Sequence, residues 1–197
     1  MSLLELIAQA DERALAAAGL ACLDRCLPPL DGAAGPEPLR PLWASCQDGR
    51  EWATRLTAAR TATAADGNAD TTGAPVRALL DAAPSDFTAV PLREWADACS
   101  LVALEIHLRC DSPAEEPARY DAYGDEQLLK RCRAGEESGA GPLVAGELRR
   151  QIQILEVLAE TGGTPGSGAG LHRALVLSTE GRRVLRAVMS RRARGQG

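Results

Sequence analysis

Six cysteines and two histidines are the residues of this chain best suited to chemistry. Cys22 and Cys26 form a C-x-x-x-C pair, and His107 with Cys110 forms an H-x-x-C pair. On a helix, residues three or four apart share a face. Two such helices meeting would offer a tetrahedral Cys3His zinc site from Cys22, Cys26, His107 and Cys110, with Cys99 as a substitute ligand. The competing reading is plain burial, because a free cysteine packs as a small hydrophobe and these thiols lie on apolar helical stripes. A Cys–His nucleophile would need a thiol beside His107 or His172 and an orienting acid. Glu105 is close to His107 in sequence but points from a different helical face, and the two do not make the E-x-x-H pair of di-iron bundles. The cysteines include no C-x-x-C pair, so the usual zinc-ribbon and thioredoxin signatures are missing.

Other chemistries lose support from motif and composition. There is no G-x-G-x-x-G, no G-x-x-x-x-G-K-[ST] and no G-x-S-x-G, which argues against the nucleotide-binding folds and hydrolases that carry them. One Phe, two Tyr and three Trp are too few for the stacking platforms of common single-strand binding modules. The acidic pairs Asp11/Glu12, Glu115/Glu116 and Glu136/Glu137 read as solvated faces and loops. An acid at Glu5, no basic n-region and no apolar run of about 20 residues give no signal peptide and no membrane span, so a reducing cytoplasm is the expected setting. The six cysteines are then expected as thiols.

The elements that would position these residues are helical. Ser2 and Glu5 make a capping box that opens a helix running to Leu27, before Pro28-Pro29, with Asp11 interrupting the stripe Leu4, Ile7, Leu15, Ala18, Cys22, Cys26. Leu39 to Cys46 suits a short helix, and Asp48 with Glu51 predicts a second capping box before Trp52, Leu56 and Ala59. Pro75 and Pro91 suit first helical positions. Residues 91–110 repeat Leu92, Trp95, Cys99, Val102, Ile106 and Cys110 at helical spacing and predict the central helix of a bundle. A short helix from Asp125 to Gly135, another opened by Pro142 with Val144, Leu148, Ile152 and Leu155 inward, and a last segment from Leu171 complete the set. The expected fold is all-α: one irregular bundle of six to seven helices over residues 1–197, with flexible loops near 28–38, 66–74, 113–124 and 162–170 and a basic tail at 191–197.

Charge is distributed unevenly. The net −5 divides into +6 over residues 171–197, which hold Arg173, Arg182, Arg183, Arg186, Arg191, Arg192 and Arg194 against Glu180, and −11 over the rest. Such clustering predicts a surface that meets an anionic partner or the chain's own acidic body. The expected contact residues are Arg182, Arg183, Arg186, Arg191, Arg192 and Arg194, with Val184 and Met189 as apolar neighbours.

One stretch, Leu177-Ser178-Thr179-Glu180-Gly181-Arg182-Arg183-Val184-Leu185, resembles the junction between the wing and last helix of MarR-type winged-helix regulators. The resemblance covers nine residues and implies a wing strand at Ala174–Leu177, a wing tip at Gly162–Gly170, and DNA binding through the C-terminal third. Three expectations therefore stand side by side. The first is a non-catalytic cytoplasmic protein with no cofactor and no membrane partner, acting by protein–protein contact as an adaptor, regulatory subunit or homo-oligomer. The second is a DNA-binding regulator. The third is a zinc- or thiol-dependent enzyme or sensor.

Overall fold

The computed structural model describes residues 1–27, 39–64, 73–111, 122–161 and 168–195. Among them lie nine helices and no strand: α1 (Leu3–Gln9), α2 (Glu12–Cys26), α3 (Arg40–Ser45), α4 (Trp52–Ala64), α5 (Gly73–Ala82), α6 (Ala89–Asp111), α7 (Ala122–Arg133), α8 (Pro142–Thr161) and α9 (Ala169–Gly195). They pack as one bundle. The apolar side chains of α2, α6 and α8 supply most of its centre, and α9 closes it against α2 and α8.

The helix count exceeds the six to seven predicted because polar residues start helices that periodicity alone merges. Ser2 does cap α1, accepting from the Glu5 amide at 3.3 Å while the Glu5 carboxylate accepts from the Ser2 amide at 2.8 Å. Asp11, however, ends that helix and caps the next, accepting from the Ala14 amide at 2.8 Å. The predicted helix from Ser2 to Leu27 is thus two, and the change of direction leaves Leu4 exposed while Leu3, Leu6 and Ile7 turn inward. The Asp48/Glu51 box does not form. Asp48 instead accepts from the Arg50 amide at 3.0 Å, and Glu51 takes a left-handed φ of 55° before α4 opens at Trp52. Pro75 and Pro91 sit in the first turns of α5 and α6, two residues later than first position.

Of the expected loops, 28–38 lies outside the described residues, as do 65–72, 112–121 and 162–167. The remaining ends are helical: Gly73 and Ala74 open α5, Ala122 to Gly124 open α7, and Ala169 and Gly170 open α9. Helix α9 also absorbs most of the expected tail.

The most extensive helix–helix contact joins α2 to α6. It is as close as it is because residue 19 is glycine: a Cβ there would stand 2.5 Å from Cζ3 of Trp95. Trp95 in turn donates from Nε1 to the Leu79 carbonyl at 2.8 Å and meets Trp52 edge-on at 6.1 Å between ring centroids. Trp52 makes a similar contact with Phe87 at 5.5 Å, so α4, the turn before α6, and α6 share one aromatic cluster. Replacing Gly19 by Ala forces Trp95 off α2; chemical denaturation should show a loss of about 1–3 kcal/mol, the range for overpacked sites, accompanied by a shift in native tryptophan emission.

Candidate functional site

Two features of the bundle could carry function: a sealed polar cluster at its centre and the outer face of α9.

The cluster is built from three helices. Helix α8 presents Val144, Leu148, Leu155 and Leu158 to the core, and Glu147 and Gln151 lie on that same buried side. Helix α2 brings Arg25, and α6 brings Ser100 and His107. Arg25 donates from Nε to both oxygens of Glu147, at 3.1 and 2.9 Å, and from Nη2 to Oε1 at 2.5 Å. Gln151 donates to Glu147 Oε1 at 2.9 Å and accepts from the Ser100 hydroxyl at 2.6 Å. The carbonyl of Ala103 can only accept, so His107 donates to it from Nδ1 at 2.7 Å and turns Nε2 toward Glu147 Oε2 at 3.6 Å.

Burial opposes both charges, and the pairing reverses the result. Removal from water would raise the Glu147 carboxyl; the Arg25 guanidinium, helped by His107 and by the bonds from Arg25 and Gln151, holds it below its ordinary value of 4.5. Burial likewise works against the Arg25 charge, and Glu147 more than compensates, keeping Arg25 firmly protonated. A second buried pair extends the cluster to α9. Ser178 donates to Asp24 Oδ2 at 2.9 Å, and Arg182 donates to Asp24 Oδ1 at 3.2 Å. Gly181 lets α9 lie on this layer, since a Cβ there would meet Arg25 Cδ at 2.4 Å and Arg150 Cδ at 2.9 Å.

The helices carrying Cys22/Cys26 and His107/Cys110 do converge. Among the described residues no three His, Cys, Asp or Glu side chains are grouped to hold a metal ion. The cation between these helices is Arg25, whose Nη2 also reaches the Cys22 sulfur at 3.5 Å, and His107 has both ring nitrogens facing oxygen atoms. Burial pushes the Cys22 thiol up to about 12 and raises Cys26, Cys99 and Cys110 as well. Burial favours the neutral thiol, which packs as a small core side chain. His172 is exposed near the start of α9, away from this cluster.

The winged-helix resemblance fails at its strand. Ala174–Leu177 lies within α9, and Ser178 is buried against α2 rather than capping a helix. The reason is the spacing of Ala174, Ser178, Gly181 and Leu185, which forms a continuous buried helical stripe of small and apolar residues.

That stripe decides which arginines are outside. Arg182 faces Asp24, and Arg192 donates to the Cys110 carbonyl at 2.8 Å, so both turn toward the bundle. Arg183, Arg186, Arg191 and Arg194 are exposed, alongside Val176 at 43% and Val184 at 40% of full exposure. The signal for this division was present in the 3.6-residue period; the signal for Arg25 and Glu147 was only their position on otherwise apolar stripes.

The class that these observations define is an all-α bundle, and no helix among the described residues is long and apolar enough to cross a membrane. Comparison with protein-family models, with curated proteins and with solved structures found no match to this chain.

Removing one partner of the central pair should cost far more than removing both. Glu147→Leu leaves a buried guanidinium unpaired and should destabilise by about 3–5 kcal/mol, whereas Arg25→Met with Glu147→Leu should recover most of that loss; a double-mutant denaturation cycle measures the difference. Acid titration supplies a second check. Because the folded Glu147 value is depressed, its contribution is present above 4.5 and is lost as pH falls from there through the folded value. The acid side of a stability–pH curve should therefore flatten in the double variant relative to wild type.

Proposed function

We propose that this chain is a non-catalytic helical protein that works by protein–protein contact, as an adaptor, a regulatory subunit or a homo-oligomer, and that the outer face of α9 is its contact surface. The observation that carries this reading is the composition of that face. Val176, Val184 and Ala187 lie on one side of the helix with Arg183 and Arg191, all exposed. An apolar ridge flanked by arginines suits a protein partner, since arginine is enriched at interfaces and its stem covers apolar surface.

The central cluster supports the same reading from the other side. Arg25 is 1% exposed and Glu147 is 0% exposed, and the cavity bordered by Arg25, Ser100 and Gln151 is only about 10 Å3, about one water, so the cluster offers no room for a substrate. Its role there is to fix how α2, α6 and α8 meet. DNA binding, the second expectation, is opposed by charge: Glu180 lies on the arginine face, and Glu156 and Glu160 of α8 line the adjoining groove.

A photo-crosslinking amino acid at Ala187 tests the surface directly, with one at exposed Ala53 on α4 as the control. Irradiation in cells should give protein adducts from position 187 well above those from position 53. Equal or absent adducts at 187 would overturn the assignment.

A further inference from the structure

The geometry of α9 points to its partner: we propose that a second copy of this chain packs antiparallel on the outer face of α9, about a two-fold axis near Glu180. This rests on the protein-contact reading above and makes it specific.

The first argument is the placement of the apolar residues. Val176 and Val184 are the exposed large hydrophobic residues of α9 and stand four residues either side of Glu180. In two antiparallel helices related by a two-fold axis at residue 180, position 176 of one faces position 184 of the other. Val176 then meets Val184 of the partner subunit at both ends of the contact. At about 100° per residue, positions 176, 180, 183, 184, 187 and 191 all fall within one third of the helix circumference.

The second argument is charge. The half of α9 that carries Val176 borders a groove of about 410 Å3 shared with α8 and lined by Gln153, Glu156, Val157, Glu160, Arg173 and Leu177. Its α8 wall is acidic, whereas the half of α9 that carries Val184 is basic, with Arg183 and Arg191 exposed. Antiparallel pairing lays the basic half of each copy along the acidic groove of the other. It also brings Glu180 within one helical turn of Arg183 of the partner subunit. The groove already accommodates a guanidinium of its own chain, Arg173 lying 3.8 Å from Glu160. The two Glu180 carboxylates meet at the axis, each flanked by Arg183 of the partner subunit, whereas parallel pairing would stack arginine on arginine along the whole contact. Because each copy offers both halves, the contact is self-complementary and closes at two subunits.

Sedimentation equilibrium of the full chain tests this. The expected result is a monomer–dimer equilibrium that weakens as salt rises, because the rim pairs are exposed to screening. Arg183→Glu should weaken association about tenfold or more, and Glu180→Arg combined with Arg183→Glu should restore most of it, as expected for a charge pair swapped across an interface. Circular dichroism checks that each variant keeps its helices. A disulfide test fixes the register. Val176→Cys mixed with Val184→Cys should give the 176–184 heterodisulfide in excess over either homodisulfide, since like positions would be about 12 Å apart along the axis, beyond disulfide reach.

A chain that stays monomeric at every concentration overturns the dimer. If the Ala187 probe still captures another protein, the contact reading survives that failure. A dimer insensitive to Arg183→Glu and lacking the 176–184 heterodisulfide places the interface elsewhere and overturns the proposal. Retention of duplex DNA in place of self-association does the same.

Discussion

The bidentate bond between Arg25 and Glu147 is the constraint around which the bundle is arranged. Two opposite charges, each stripped of water, tolerate little displacement, because their attraction must offset a large desolvation cost. That fixes α2 against α8 to within a hydrogen bond. Gln151 and Ser100 then bind α6 to the same carboxylate, and the stem of Arg25 forms part of the floor on which α9 rests at Gly181. Leucine and alanine supply cohesion and steric fit in this protein, and the buried ion pair adds a directional bond to them. The polar cluster gives the helices their register.

The same logic explains why α9 is divided so sharply. Its inner side is narrow and small, with Ala174, Ser178 and Gly181, because it must lie close over a layer of long charged side chains. Arg182 and Arg192 reach inward from its edges, while Arg183, Arg186, Arg191 and Arg194 lie on the other side. A helix of 27 residues spans about 40 Å, so its outer face is long, and it is net positive where the rest of the chain is net negative.

Much of the fold was legible from periodicity. The apolar positions of α6 and α8 mark both helices to within a few residues, and Pro142 marks where α8 begins. The sequence marks Asp11 as an interruption of the stripe, but an aspartate in an alanine-rich run signals a cap only where the chain turns. The wing reading failed because strand and buried helix share the short pattern Ala174 to Leu177; the decisive residues, Gly181 and Leu185, lie further along. The cysteine and histidine spacing led to helices that do meet, but among the described residues no three ligating side chains stand together there, and Arg25 lies against Cys22. Arg25 sits one residue from Cys26, but a charge on an apolar stripe is ordinarily assigned to solvent. Its partner is 122 positions away, and no local pattern links them.

A smaller feature has consequences for how this chain can vary. The carboxylate of Asp111, the last residue of α6, accepts from the amides of Leu143 at 3.0 and 3.1 Å and Val144 at 3.0 Å, at the start of α8. A negative group there complements the positive end of the helix dipole. Everything between, residues 112–141, therefore departs from and returns to a junction that is clamped on its own account. Helix α7 adds to the core through Leu129 and Cys132 and is tied to α6 by the Arg133–Asp97 pair, but it does not set the angle between α6 and α8. Lengthening a loop whose ends are already held together adds only a slowly growing entropic term. The Asp111 clamp thus holds the ends of α6 and α8 together whatever lies between them, and the Arg25–Glu147 register draws on none of the intervening residues.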